Sequence, residues 1–265
     1  MHAKPAVRNP WLWVPTLYLA EGAPYVMAMT VSVILYKRLG ISNTDIALYT
    51  SWLYLPWVIK PLWSPFVDMF RTKRFWIVAM QLVLGASFAC VALTIPAPAF
   101  FRYTLAFFWI MAFSSATHDI AADGFYMLGL KEYQQAAFVG VRTIFYRIAM
   151  IAAKGILVVL AGTLETRGFS VASAWSVTFF LLAAIMLALF LYHLFALPCP
   201  ASDRPVPHDP SRSASAAFLR GFVTFFRRKD SVAILAFFLL YRFAEAQLVK
   251  MVAPFLLDPR TEGGL

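Results

Sequence analysis

Residues 114–126 read SSATHDIAADGFY and place His118, Asp119 and Asp123 inside a long run of mostly apolar residues. An unpaired carboxylate buried in a membrane is strongly unfavourable, so these side chains need partners. Asp119 and Asp123 are four residues apart and share one face of a helix, whereas His118 lies about 100° to the side. The stretch therefore predicts a membrane helix that carries buried charges towards its neighbours.

The next apolar run supplies candidate partners in Arg142, Arg147 and Lys154. The two runs are predicted to form a hairpin, so Asp119 and Arg142 are expected at similar depths, where they can pair. Arg147 is expected nearer the middle of the membrane, open to a central cavity and able to bind an anionic group bidentately. In the alternative interpretation, these ions only satisfy one another and hold the hairpin together.

Composition indicates the class of protein. Of the 265 residues, 61% are hydrophobic and only 14% are charged, which is typical of a polytopic helical membrane protein. The net charge of +10 arises largely from short connections between apolar runs, so we expect no nucleic-acid partner. Two cysteines, Cys90 and Cys199, predict neither a disulfide framework nor a metal site.

The apolar runs predict seven membrane spans that contact the lipid bilayer. Their approximate ranges are 11–36, 44–66, 75–95, 100–128, 135–161, 172–197 and 231–257. In the first span, Gly22 and Pro24 predict a bend beside the buried acid Glu21, which we expect to face a cavity.

Four regions follow from these spans. Residues 1–10 form the N-terminus, 11–197 a six-helix bundle, 198–230 a polar connection and 231–265 a seventh helix that begins an incomplete second bundle. Within the connection, phenylalanines and arginines before Asp230 predict either a short interfacial helix or a solvated linker. Basic residues lie mostly on the side of the N-terminus and of this connection, which predicts that both are cytoplasmic.

His118 allows several chemical interpretations. With Asp123 it forms the H-x-x-x-x-D spacing of membrane acyltransferases, but no matching phosphate-binding motif follows. A metal site made by His118, Asp119 and Asp123 would lack a second histidine or cysteine nearby. A proton-relay histidine and a hydrogen-bonded histidine that packs helices together both remain open. We expect no enzymatic activity, no metal and no cofactor.

Four segments resemble the AmpG-like permeases of the major facilitator superfamily. They are EGAP at 21–24, KPLWSPFVD at 60–68, SSATHDIAADGFY at 114–126 and FYRIAM at 145–150. The resemblance implies a multi-pass transporter of the bacterial inner membrane that imports anhydro-muropeptides with protons, as part of peptidoglycan recycling. It also implies that Asp119, Asp123 and Arg147 line or gate the transport path. The inner gating loop would contain four charged residues, namely Asp68, Arg71, Lys73 and Arg74.

Departures from the family pattern leave the substrate open. Ser64 stands where the loop motif has glycine, Met69 where it has a basic residue, and Lys154 at a position not expected to be charged. Another anionic solute, such as acetyl-CoA, is therefore an alternative. The superfamily fold has twelve helices, so we expect this chain to be truncated and to lack its C-terminal bundle. A non-transporting membrane sensor or scaffold is the second alternative.

The hypothesised mechanism is alternating access. The anionic solute meets Arg147 and Lys154, while Glu21, Asp119 or Asp123 takes up a proton, because burial favours the neutral form of a carboxyl group. Release of that proton on the opposite side then resets the gate.

Overall fold

A computed structural model of the chain describes residues 8–205, 223–224, 227 and 229–257. Within these ranges every regular element is helical. The chain divides into two compact units, Met1–Pro205 and Val206–Leu265. Residues 1–7 and 258–265, together with most of the predicted interfacial helix, lie outside the described residues.

The described residues of the first unit form ten α-helices. They are α1 Val14–Val26, α2 Ser32–Arg38, α3 Asn43–Ser51, α4 Leu55–Ile59, α5 Ser64–Met69, α6 Lys73–Thr94, α7 Phe100–Gly129, α8 Glu132–Lys154, α9 Ile156–Thr166 and α10 Val171–Ala196. The second unit contains α11, Ser231–Leu257, with Pro254 inside it. The side chains of Arg242, Glu245 and Lys250 in the predicted seventh span lie outside the described residues.

Five helical stretches among the described residues are long and apolar enough to cross a membrane. They are Pro10–Arg38, Lys73–Thr94, Phe100–Gly129, Glu132–Thr166 and Val171–Ala196. Many large apolar side chains on these stretches face outwards, as Ile144, Ile148 and Ile151 do on α8. The prediction of an all-α polytopic membrane protein is confirmed.

The predicted second span is not one continuous helix. It consists of α3, α4 and α5 joined by the 3₁₀ turns Trp52–Tyr54 and Lys60–Leu62. Pro56, Pro61 and Pro65 each stand at the start of one of these short pieces. Because proline has no backbone N–H, it fits the first turn of a helix and interrupts its interior. The prolines therefore break this span into pieces.

The first span differs from its prediction in where it becomes irregular. Helix α1 continues past Glu21, Gly22 and Pro24, and a π-helical turn, Met27–Val31, follows it. A π turn widens the hydrogen-bond ladder by one residue, which is one way for a helix to accommodate a preceding proline. The fifth span is also divided, since Gly155 separates α8 from α9.

Two groups of helices form the first unit. Helix α6 packs against α7 and α10, while α1 packs against α8 and α7. Where α1 meets α7, a core cluster includes Trp13, Leu17, Tyr18 and Phe125. Since α1 touches both members of the predicted hairpin, side chains from all three helices can meet at one place.

Candidate functional site

Three carboxylates meet where α1 faces α7. Glu21 of α1 and Asp119 and Asp123 of α7 each place one carboxylate oxygen within 4.8 Å of the other two. Glu21 is only 8% exposed. The structure therefore brings together three acids that the sequence analysis proposed for the proton path.

Two cations bind this group, and their pairing corrects the sequence prediction. Asp119 forms its ion pair with Lys60, and Arg142 Nη2 lies 3.1 Å from Asp123 Oδ1, so the expected pairing of Asp119 with Arg142 is wrong. The Arg142 guanidinium lies over the rings of Tyr18 and Tyr126, at 4.9 and 5.2 Å from their centroids. These rings hold Arg142 beside Asp123.

Tyr18 adds a further contact to Asp123. Its hydroxyl donates a hydrogen bond of 3.0 Å to Asp123 Oδ1, the same oxygen that Arg142 binds. Asp123 thus has a cation and a hydroxyl donor, whereas Glu21 Oε2 has no hydrogen-bond partner among the described residues. Of the three acids, Glu21 is therefore the one with an oxygen that can still bind a proton or a ligand.

A cavity of about 300 Å³ opens beside these groups. Its lining combines four aromatic side chains with one serine hydroxyl, two carboxylates and one ammonium group. The lining residues are Glu21, Tyr25, Tyr54, Trp57, Lys60, Ser115, Asp119 and Tyr146. Rings supply flat apolar walls and the charged groups supply orientation, a combination typical of small-molecule sites.

His118 lies outside this lining. It is fully buried, and its Nε2 lies 3.0 Å from Gln81 Nε2. The amide nitrogen of glutamine donates, so His118 Nε2 accepts. Asp123 is bound to Tyr18 and Arg142 instead, so the described contacts do not pair His118 with Asp123 as acyltransferase chemistry requires.

Arg147 and Lys154 also lie away from the cavity. Both are exposed on α8, and neither is among the residues that line the cavity. Their contact with an anionic solute therefore remains a prediction. No described contact joins them to the acid cluster, which consists of Glu21, Asp119 and Asp123.

The predicted gating loop forms defined contacts. Lys73 makes an ion pair with Asp68, and the Arg74 guanidinium donates to the carbonyl oxygen of Leu194 at the end of α10. Arg71 adopts a positive φ of 66° and lies over the Phe75 ring, 5.6 Å from its centroid.

Sequence reasoning missed Lys60 and Asp203. Lys60 was recognisable as a cation within a proline-rich apolar span, but nothing local indicated that it meets Asp119. Asp203 follows α10 and accepts hydrogen bonds from the backbone N–H groups of Lys73, at 2.7 Å, and Arg74, at 3.0 Å. Its partners are 130 and 129 residues away in the chain, so no sequence pattern links them.

Known proteins resemble this chain over most of its length. The anhydromuropeptide permease of Escherichia coli (strain K12) is 27% identical over 248 residues, which cover 91% of this chain and 47% of the permease. A Rickettsia conorii protein that carries the name AmpG 4 is 22% identical over 255 residues, which cover 91% of this chain and 58% of that protein. The chain thus spans about half the length of the curated relatives it matches.

These similarities confirm the resemblance to AmpG-like permeases that the segment containing His118, Asp119 and Asp123 indicated. The family described as the BT1 family matches residues 22–241. This range contains Asp119, Asp123, Lys60, Arg142 and the gating loop, and it begins one residue after Glu21. This match covers more than half of the sequence, and the chain belongs to the BT1 family.

Proposed function

We propose that the protein is a secondary active transporter that imports an anionic, cell-wall-derived solute of the anhydro-muropeptide class together with protons. The name of the Escherichia coli relative supports the substrate class, and the cavity supports the binding of a small molecule. The proposed setting is the bacterial inner membrane, with the N-terminus in the cytoplasm.

One observation supports the proton coupling: among the described residues, three carboxylates meet only two cations. Asp119 and Asp123 are paired with Lys60 and Arg142, which leaves Glu21 without a cation of its own among the described residues. An uncompensated carboxylate inside a membrane protein is strongly unfavourable. One bound proton shared by the three acids makes the cluster neutral, so we infer that the resting site holds a proton.

Release of that proton would change the charge of the site, and such a change is what alternating access requires. Loaded with a proton, the cluster is neutral and can close off from water. Without it, the site carries one negative charge and favours a conformation that is open to solvent or cations. The two conformations would open to opposite sides of the membrane.

Transport measurements test the proposal. Membrane vesicles that contain the protein are expected to accumulate labelled anhydro-muropeptide when the outside is acidic, and a protonophore should abolish the accumulation. Glu21→Gln should weaken the dependence on the proton gradient, because two carboxylates then match two cations in the empty site. Glu132→Gln, which changes an exposed acid of α8, serves as the control and should depend on the proton gradient as the wild type does.

A second readout uses the purified chain and needs no transport. Infrared spectra at neutral pH should contain the carbonyl stretch of a protonated carboxylic acid in the wild type and in Glu132→Gln. That signal should disappear in Glu21→Gln. Its absence from the wild type, or its persistence in Glu21→Gln, would show that the cluster holds no shared proton.

A further inference from the structure

We propose that Lys60 binds the anionic group of the solute, and that Asp119 takes up one proton when the solute replaces it on Lys60. This inference rests on the proposed function and identifies the recognition step at the same cavity. It assigns the contact to Lys60, whereas the sequence had suggested Arg147 and Lys154.

Lys60 is placed where an anion in the cavity can reach it. Among the described residues that line the cavity, Lys60 is the only cation. Its side chain is 36% exposed while its partner Asp119 is 15% exposed, so the ammonium is the more accessible member of the pair. An anion that enters the cavity therefore meets Lys60 before any other positive group.

The chemistry of the two cations separates their roles. Lys60 is a compact charge on a flexible stem, and it can exchange one carboxylate for another with little rearrangement. Arg142 lies over the rings of Tyr18 and Tyr126 and is not among the residues that line the cavity. Arg142 therefore keeps Asp123 in place while Lys60 exchanges partners.

The balance of charges around the three carboxylates determines how many protons the cluster binds. When a solute anion occupies Lys60, Arg142 is the only described cation left for the three carboxylates, and a second proton is needed to make the cluster neutral. The titratable groups that line the cavity with Asp119 or contact its neighbour Asp123 come from several helices: Glu21 and Tyr25 of α1, Tyr54 and Lys60 of the second span, Asp123 of α7, and Arg142 and Tyr146 of α8. Apart from Lys60 and Arg142, these groups are acids or neutral phenols.

The exchange is therefore a balanced step. The ion pair between Lys60 and Asp119 opens, the solute anion takes its place on Lys60, and a proton from the aqueous side binds an oxygen of Asp119. Departure of the solute on the other side reverses the step, since Asp119 loses its proton and pairs with Lys60 again. Each anionic group that binds in this way carries one additional proton.

Binding measurements with matched variants test the proposal. Purified protein is titrated with anhydro-muropeptide and, separately, with acetyl-CoA, in buffers that allow released or absorbed protons to be counted. The wild type is expected to absorb about one proton for each solute bound. Lys60→Gln should weaken binding roughly ten- to a hundredfold, the range for losing a charge-assisted hydrogen bond, and should abolish proton uptake.

The double variant Lys60→Gln/Asp119→Asn separates recognition from structure. It removes both charges of the pair, so it should recover the thermal stability that Lys60→Gln loses. It should still bind the solute weakly and absorb no proton. Recovery of binding in the double variant would overturn the proposal, since Lys60 would then only have held Asp119 in place. Arg102→Gln removes an exposed cation and should bind like the wild type.

The two solutes distinguish this inference from the proposed function. If only acetyl-CoA binds, with Lys60-dependent proton uptake, the inference stands and the proposed cell-wall substrate is wrong. If anhydro-muropeptide binds equally well to the wild type and to Lys60→Gln, the inference is wrong while the proposed substrate stands. If neither solute binds to the wild type, both are contradicted.

Discussion

At the scale of single residues, Gly22 lies where α1 packs tightly against α8. A Cβ atom added at Gly22 would lie 2.6 Å from the carbonyl oxygen of Tyr146 and 3.0 Å from Cβ of Ala149. Tyr146 lines the cavity, and Glu21 precedes Gly22 in the chain. The absence of a side chain at Gly22 therefore lets the acid cluster and the cavity wall approach each other.

We expect Gly22→Ala to destabilise the protein by about 1–3 kcal/mol, the usual cost of overpacking. Alanine favours helices by about 1 kcal/mol over glycine, but the backbone oxygen of Tyr146 cannot rotate away, so the clash should dominate. Thermal unfolding in detergent measures the change, which should lower the melting temperature by about 2–4 °C for each kcal/mol.

Gly140 provides the matched control for this substitution. A Cβ atom there would meet no described residue within 4 Å, so Gly140→Ala should leave the melting temperature unchanged or raise it slightly. Equal melting temperatures for Gly22→Ala and the wild type would show that α1 and α8 are not closely packed at this point.

At the scale of elements, the N-terminus of α6 is held by the segment that follows α10. Thr72 accepts a hydrogen bond from Phe75 N, and Asp203 accepts from the backbone N–H groups of Lys73 and Arg74. The first N–H groups of a helix have no partner within it, and a carboxylate also interacts favourably with the helix dipole. Asp203 thereby connects the chain after α10 to the predicted gating loop.

We expect Asp203→Ala to destabilise this junction by about 1–2 kcal/mol, the usual cost of losing a helix cap. Hydrogen exchange followed by mass spectrometry should show faster exchange in the peptide that contains Lys73 and Arg74. Arg204→Ala changes an exposed neighbour and should not alter that peptide. Unchanged exchange in Asp203→Ala would mean that Thr72 alone holds the end of α6.

At the scale of the whole molecule, a buried chain of hydrogen bonds connects four helices. Gln81 Oε1 of α6 can only accept, so His193 Nδ1 of α10 donates to it at 3.0 Å. His193 Nε2 lies 2.9 Å from the hydroxyl of Thr16 in α1. At the other end, the Gln81 amide donates to His118 of α7. The chain of bonds therefore reaches from α7 and α6 through α10 to α1, with Gln81 at its centre and His193 as the link to α1.

We expect Gln81→Leu to cost about 1–3 kcal/mol, because it leaves buried nitrogens of His118 and His193 without partners. Ser87→Ala, on the same helix, removes only a local bond from the hydroxyl to the Val83 carbonyl oxygen and serves as the control. Thermal unfolding should place Gln81→Leu well below Ser87→Ala. Similar melting temperatures for the two variants would contradict a joining role for Gln81.

The candidate site was only partly predictable from sequence. The spacing of Asp119 and Asp123 placed both on one face of a helix, and the structure shows them together with Glu21. Helical periodicity made this possible, because it acts over a few residues. The pairing of Asp119 depended on Lys60, which lies 59 residues away in a span broken by prolines. No periodic pattern extends across such a break.

By itself, the sequence determined the membrane class, the helical nature of the spans and the need of the buried acids for partners. These properties follow from composition, from local periodicity and from the unfavourable free energy of an unpaired charge in a membrane. Only the tertiary structure decided that Lys60 binds Asp119, that Arg142 binds Asp123 and that His118 turns to Gln81. The physical reason is that partner choice depends on the rotation and depth of each helix relative to its neighbours, and packing between distant parts of the chain sets both.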